Sequence, residues 1–118
     1  MTLKEMIEKA PFEPLLYRIL VKIEGIKEKT DGGILIPEGS REYINRQIEV
    51  GVILKIGSLC FYDFATKDKS GIEVIGIQVG DRITFAKHAG EYCMVEGEDY
   101  RLINDTDITG KVKEGVKL

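Results

Sequence analysis

Apolar and polar residues alternate along "LLYRILVKI", Leu15 to Ile23, with Ile19, Val21 and Ile23 on one face and Arg18, Leu20 and Lys22 on the other. That period of two, in residues of high β-propensity, predicts a strand. "IEVGVILKIG", Ile48 to Gly57, predicts a second, with Gly51 marking a bulge or a close backbone approach. "VGDRITFA" reads as a turn at Gly80-Asp81 leading into a strand whose Ile83 and Phe85 face inward. "EYCMV", "YRLI" and "DITGKV" predict three more short strands, the first two joined by the polar turn "EGED" that holds Gly97. Near the start, Leu3, Met6 and Ile7 recur at helical spacing until Pro11 and Pro14 end the segment, and a loose extension fits the same residues. Short strands at regular spacing, separated by turn residues, indicate an all-β domain built as a small barrel.

Two stretches break the regularity. From Glu24 to about Gln47 the alternation vanishes among glycines and charges, over a length well beyond the usual connection of about 4–6 residues. Within it lies "TDGGILIPEG", Thr30 to Gly39, where Gly32 and Gly33 precede the aliphatics Ile34, Leu35 and Ile36, and Pro37 follows. A short edge strand folded back on the barrel is one reading. It places apolar groups on both faces, loses a donor at Pro37 and orders two glycines. The other reading is a flexible loop that offers an apolar plug to a partner's groove. The second irregular stretch, Ser58 to Gln78, predicts a β-hairpin. Its aromatic arm holds Phe61, Tyr62 and Phe64, its turn runs from Lys67 to Gly71, and its apolar arm spans Ile72 to Ile77.

Composition narrows the function. The chain has 118 residues, enough for one domain, and its 43% hydrophobic and 31% charged content is that of a globular protein. A net charge of −3 with both signs mixed argues against phosphate-backbone binding. No apolar run approaches the roughly 20 residues of a membrane span, and "MTLKEMIEKAPFE" lacks a secretory core, so a cytoplasmic address is expected. Cys60 and Cys93 lack CxxC spacing and read as buried or incidental thiols. His88 is the only histidine, so neither a metal site nor a histidine-dependent triad finds its partners. Glu96, Glu98 and Asp99 sit in a turn and read as solvated charge. Neither catalysis nor a cofactor is expected. An alternative is a barrel that stacks single-stranded nucleic acid on Phe61, Tyr62 and Phe64. Asp63, Asp68 and Glu73 set against Lys67 and Lys69 leave that surface without net attraction.

Five segments, in order, resemble the GroES co-chaperonins. "PLLYRILVK" is similar to the family's opening strand, and "TDGGILIP" to its chaperonin-binding loop. "EVGVILKIG", "VGDRITF" and "EGEDYRLINDTDITGKV" resemble its later strands and its ending. The match covers roughly Pro14 to Lys113. Tyr17 stands where the family usually has an acidic residue, and Glu49 where it has a glycine. The 58–78 stretch is longer and more aromatic, and Met1 to Glu13 is an added N-terminal extension. Such departures suggest a divergent member, of a kind a bacteriophage encodes and deploys in its host's cytoplasm.

The resemblance implies a GroES-like β-barrel over 14–118, with a mobile loop at 24–47 and a roof hairpin at 58–78 carrying Phe61, Tyr62 and Phe64. It implies a homo-oligomeric ring, expected to be heptameric, in which the first strand of one subunit pairs with the last strand of its neighbour through Ile19, Val21 and Ile108. It implies capping of a GroEL-type chaperonin in a nucleotide-dependent way, enclosing unfolded substrate proteins. Ile34, Leu35 and Ile36 would bind the chaperonin, while Gly32, Gly33 and Pro37 would govern the loop's freedom. ATP would be bound by the partner and not by this chain.

Overall fold

The alternating stretches fold as strands. A computed structural model describes residues 2–23 and 48–116. It contains β1 (Arg18–Ile23), β2 (Ile48–Ile56), β3 (Arg82–Ala86), β4 (Glu91–Val95), β5 (Glu98–Asn104) and β6 (Ile108–Lys111). Two short α-helices join them, α1 (Leu3–Glu8) and α2 (Gly71–Ile75), with single 3₁₀ turns at Tyr62–Phe64 and Asp105–Asp107. The six strands form one antiparallel sheet in the order β4-β5-β1-β2-β3-β6.

The sheet curls because its inner residues share one core. Ile19, Val21 and Ile23 of β1 meet Ile53 of β2, Ile83 and Phe85 of β3 and Ile103 of β5, and Ile108 of β6 packs against them. Strands near opposite margins of a flat sheet could not reach a common centre, so the all-β barrel expected from the alternation is what forms. Each large aliphatic withdrawn from water contributes about 1.5–3 kcal/mol. Gly51 is the close approach its position foretold. A Cβ there would lie 3.2 Å from the Lys22 carbonyl oxygen and 3.3 Å from the Phe85 ring.

The outer face of β1 is apolar too. Leu20, Leu54 and Tyr100 are buried under Met6, Ile7, Ala10 and Phe12, so the N-terminal segment forms a strap across the sheet. Its helix starts where the Thr2 hydroxyl accepts the Glu5 amide at 3.2 Å, satisfying a donor that the first turn leaves free. Glu13 then pairs with Lys55 on β2.

Two expectations are corrected. The predicted first strand begins at Arg18 and not at Leu15. Leu15, Leu16 and Tyr17 are exposed, and Leu16 takes a left-handed backbone conformation with φ 54°. The stretch 58–78 is not a hairpin. Its first half is a 3₁₀ turn and its second half is α2. Ser70 caps α2 by accepting the Glu73 amide at 3.3 Å, and Gly76 ends it at φ 86°. These are the helix-start and helix-stop signals S-x-x-E and Gly. Gly71 is required where α2 begins, since a Cβ there would collide with the Phe61 carbonyl.

Truncating Phe12 to alanine should uncover Leu20 and Leu54. Because the ring is only half-buried, the expected loss is about 2 kcal/mol, below the range for a fully buried phenylalanine. Urea unfolding would read it as a lower midpoint at unchanged slope. An unchanged midpoint would show that the strap adds no packing.

Candidate functional site

β1 and β2 run antiparallel with Ile23 opposite Gly51 and Ile19 opposite Ile56. Residues 24–47 therefore leave and re-enter the sheet at one end, and residues 57–81 join β2 to β3 at the other. At the first end Ile23 is held in the core and Lys22 pairs with Glu98 at 2.9 Å. The Lys22 ammonium holds the Glu98 carboxyl below its ordinary range. Gly32, Gly33, Ile34, Leu35, Ile36 and Pro37 lie outside the described residues.

At the second end a carboxylate organises the backbone. Asp105, nearly fully buried, accepts the Phe61 amide at 2.8 Å and the Thr106 amide at 2.7 Å. Its own amide donates to the Tyr17 carbonyl at 2.9 Å. Phe61 is thereby held in a left-handed conformation, φ 57° and ψ 26°. Cys60 beside it donates its thiol to the Arg18 carbonyl at 3.3 Å. Desolvation, reinforced by the Asp105 charge, pushes that thiol from 9.0 up to about 11. Of the three aromatics predicted to share one hairpin arm, Phe61 is buried while Tyr62 and Phe64 are exposed. They do not form a continuous stacking platform, and the carboxylates Asp63 and Asp105 beside them repel phosphate.

A third cluster had no forecast. Arg101 on β5 is only 1% exposed. Its guanidinium lies 5.1 Å from the centre of the Phe85 ring and 3.7 Å from that of Tyr92. Arg101 Nη1 and the Tyr92 hydroxyl both donate to the Lys87 carbonyl at 2.8 Å, fixing the turn between β3 and β4. His88 sits exposed in that same turn. The signal for Arg101 was its spacing: two residues from Ile103, it shares the inward face of β5. Cation–π contact favours burial of a guanidinium that is more weakly hydrated than an ammonium, while Arg101 Nε has no hydrogen-bond partner among the described residues.

The predicted interface residues separate. β1 lies between β2 and β5, so both of its backbone edges are used within the chain. Ile19 and Val21 are completely buried. They are core residues and not subunit contacts, because a strand with two partners cannot accept a third. Ile108 lies half-buried on β6, an outer strand of the sheet paired only to β3 among the described residues.

The curled antiparallel sheet, with β4 and β6 as its outer strands among the described residues and a helical insertion at one end, makes a small all-β barrel. The model of the chaperonin 10 kDa subunit family matches residues 11–112. A co-chaperonin GroES 5 of Rhizobium meliloti (strain 1021) is 33% identical over 102 residues, covering 86% of this chain and 89% of that protein. The co-chaperonin GroES of Caulobacter vibrioides (strain NA1000 / CB15N) is 32% identical over 102 residues, covering 86% and 97%. That of Rhodothermus marinus is 28% identical over 107 residues, covering 90% and 96%. The chain belongs to the chaperonin 10 kDa subunit family, whose members are non-enzymatic chaperone components.

The Cys60 thiol gives a test of this end of the barrel. Folded protein keeps a proton that the unfolded chain releases above its lower pKa, so the thiol's contribution is complete below pH 9.0 and declines toward about 11. The stability difference between the wild type and Cys60→Ala should therefore shrink across that window. A difference that stays constant from pH 8 to pH 11 would contradict the buried, neutral thiol.

Proposed function

We propose that the chain is a co-chaperonin that caps a GroEL-type chaperonin in a nucleotide-dependent way, through Ile34, Leu35 and Ile36. The observation that carries this reading is the family match over residues 11–112, with TDGGILIP inside it. Residues 24–47 join the sheet at the end away from the helical insertion, a position suited to reaching a partner. Subunits would assemble as a ring, expected to be heptameric, in which the outer edge of β6 around Ile108 pairs with a neighbour. Exposed Leu15 and Leu16 supply apolar surface for such a contact. The partner binds and hydrolyses ATP in this scheme, and the ring works in the cytoplasm on unfolded proteins enclosed beneath it.

Energetics favour collective action. Burying the tripeptide yields roughly 5–9 kcal/mol at about 1.5–3 for each side chain. Ordering about ten residues costs on the order of 10–20 kcal/mol, offset in part by new backbone hydrogen bonds. A single segment is then a weak ligand, and a ring gains avidity of roughly 10²–10⁴ even from a linked pair. Weak individual contacts let the partner's nucleotide state release the lid.

Ile34→Ser and Leu35→Asp should each abolish capture by chaperonin and ATP while leaving the oligomer's native mass unchanged. Undiminished capture of both variants would remove the tripeptide from the mechanism. A monomeric wild type would remove the ring.

A further inference from the structure

The end of the barrel opposite residues 24–47 holds a pocket of about 250 Å³ whose walls include Tyr17, Phe61, Tyr62 and Phe64. Three of these rings stay open to water: Tyr17 is 46% exposed, Tyr62 62% and Phe64 53%. Phe61 is buried beside them, its ring centre 6.3 Å from that of Phe64 and tilted by 59°. The charged residues lining the pocket are Asp63 and Asp105, both carboxylates. Lys67 and Lys69 follow in sequence but form no part of the wall.

Those observations select a ligand by charge. Aromatic faces carry negative potential, and the two carboxylates add to it. An anion is repelled there, and a neutral apolar group would strip water from the carboxylates without replacing it. A cation satisfies rings and carboxylates together. Asp105 is fixed by its two amide donors, yet a carboxylate has about four acceptor positions and retains room for more. The volume suits a single long side chain. The fold already contains the same chemistry internally, where the Arg101 guanidinium lies 3.7 Å from the centre of the Tyr92 ring.

We propose that this pocket binds an arginine or lysine side chain presented by a partner polypeptide, with the cation against Tyr17, Tyr62 and Phe64 and facing Asp63. Arginine is the better fit, since its planar guanidinium stacks on rings and meets a carboxylate with two donors. The site stands apart from the tripeptide and does not depend on the chaperonin.

Titration of the intact protein with the peptide acetyl-Gly-Arg-Gly-amide, followed by amide NMR, tests the site without a chaperonin. Saturable shifts are expected at residues 61–64, 105 and 106. The citrulline peptide, equal in shape and uncharged, should give none. Tyr62 and Asp63 are exposed, so Tyr62→Ala and Asp63→Asn should leave remote amides in place while each weakens binding about twofold to fivefold. Equal shifts from both peptides, no saturable shift at these residues, or shifts insensitive to both substitutions would overturn the proposal.

Discussion

β1 has a hydrogen-bonding partner on each side, and most of the molecule follows from that. With β2 and β5 both paired to it, β1 runs through the middle of the sheet. Ile19, Val21 and Ile23 then have to face the core, and Leu20 has to face away from it. Leaving Leu20 and Leu54 bare would expose an apolar outer surface, and the N-terminal strap covers it. The antiparallel pairing of β1 with β2 also sends the two long connections to opposite ends. One end receives residues 24–47, while the other is tied down by Asp105.

Residues 24–47, which hold TDGGILIP, join the sheet at one end. At the other end the backbone is held in place by Asp105, by Gly71 and by the left-handed Phe61. Uncommon conformations of this type survive only where surrounding contacts enforce them. Membership in the chaperonin 10 kDa subunit family accords with that division, because the matched region includes both ends and the sheet between them.

Alternation made the sheet legible. Ile83 and Phe85, the Gly80-Asp81 turn and the Gly97 turn stand where the pattern of residues put them, and of the two readings open for the N-terminal segment the helix is the one that forms. The 58–78 stretch misled for a physical reason. Its aromatic and β-branched residues suit a strand, but the Ser70–Glu73 cap and Gly76 commit the second half to a helix, and Asp105, distant in sequence, commits the first. Ile19 and Val21 were placed at a subunit contact by resemblance, although their periodicity had already assigned them to a buried face. Arg101 was hidden because a charged residue at an inward position ordinarily argues against burial, and only the rings of Phe85 and Tyr92 reverse that. Ile34, Leu35 and Ile36, proposed to meet the chaperonin, lie outside the described residues, so only their sequence pattern speaks for them.

The central position of β1 also bears on how the chain matures. During synthesis β1 emerges well before one of its two neighbours, Glu98–Asn104. Until that stretch leaves the ribosome, one edge of β1 has no ladder, and an unpaired apolar strand is prone to associate with other chains. The nascent barrel therefore stays vulnerable until Glu98–Asn104 has emerged, and its pairings are long-range ones of the sort that form slowly.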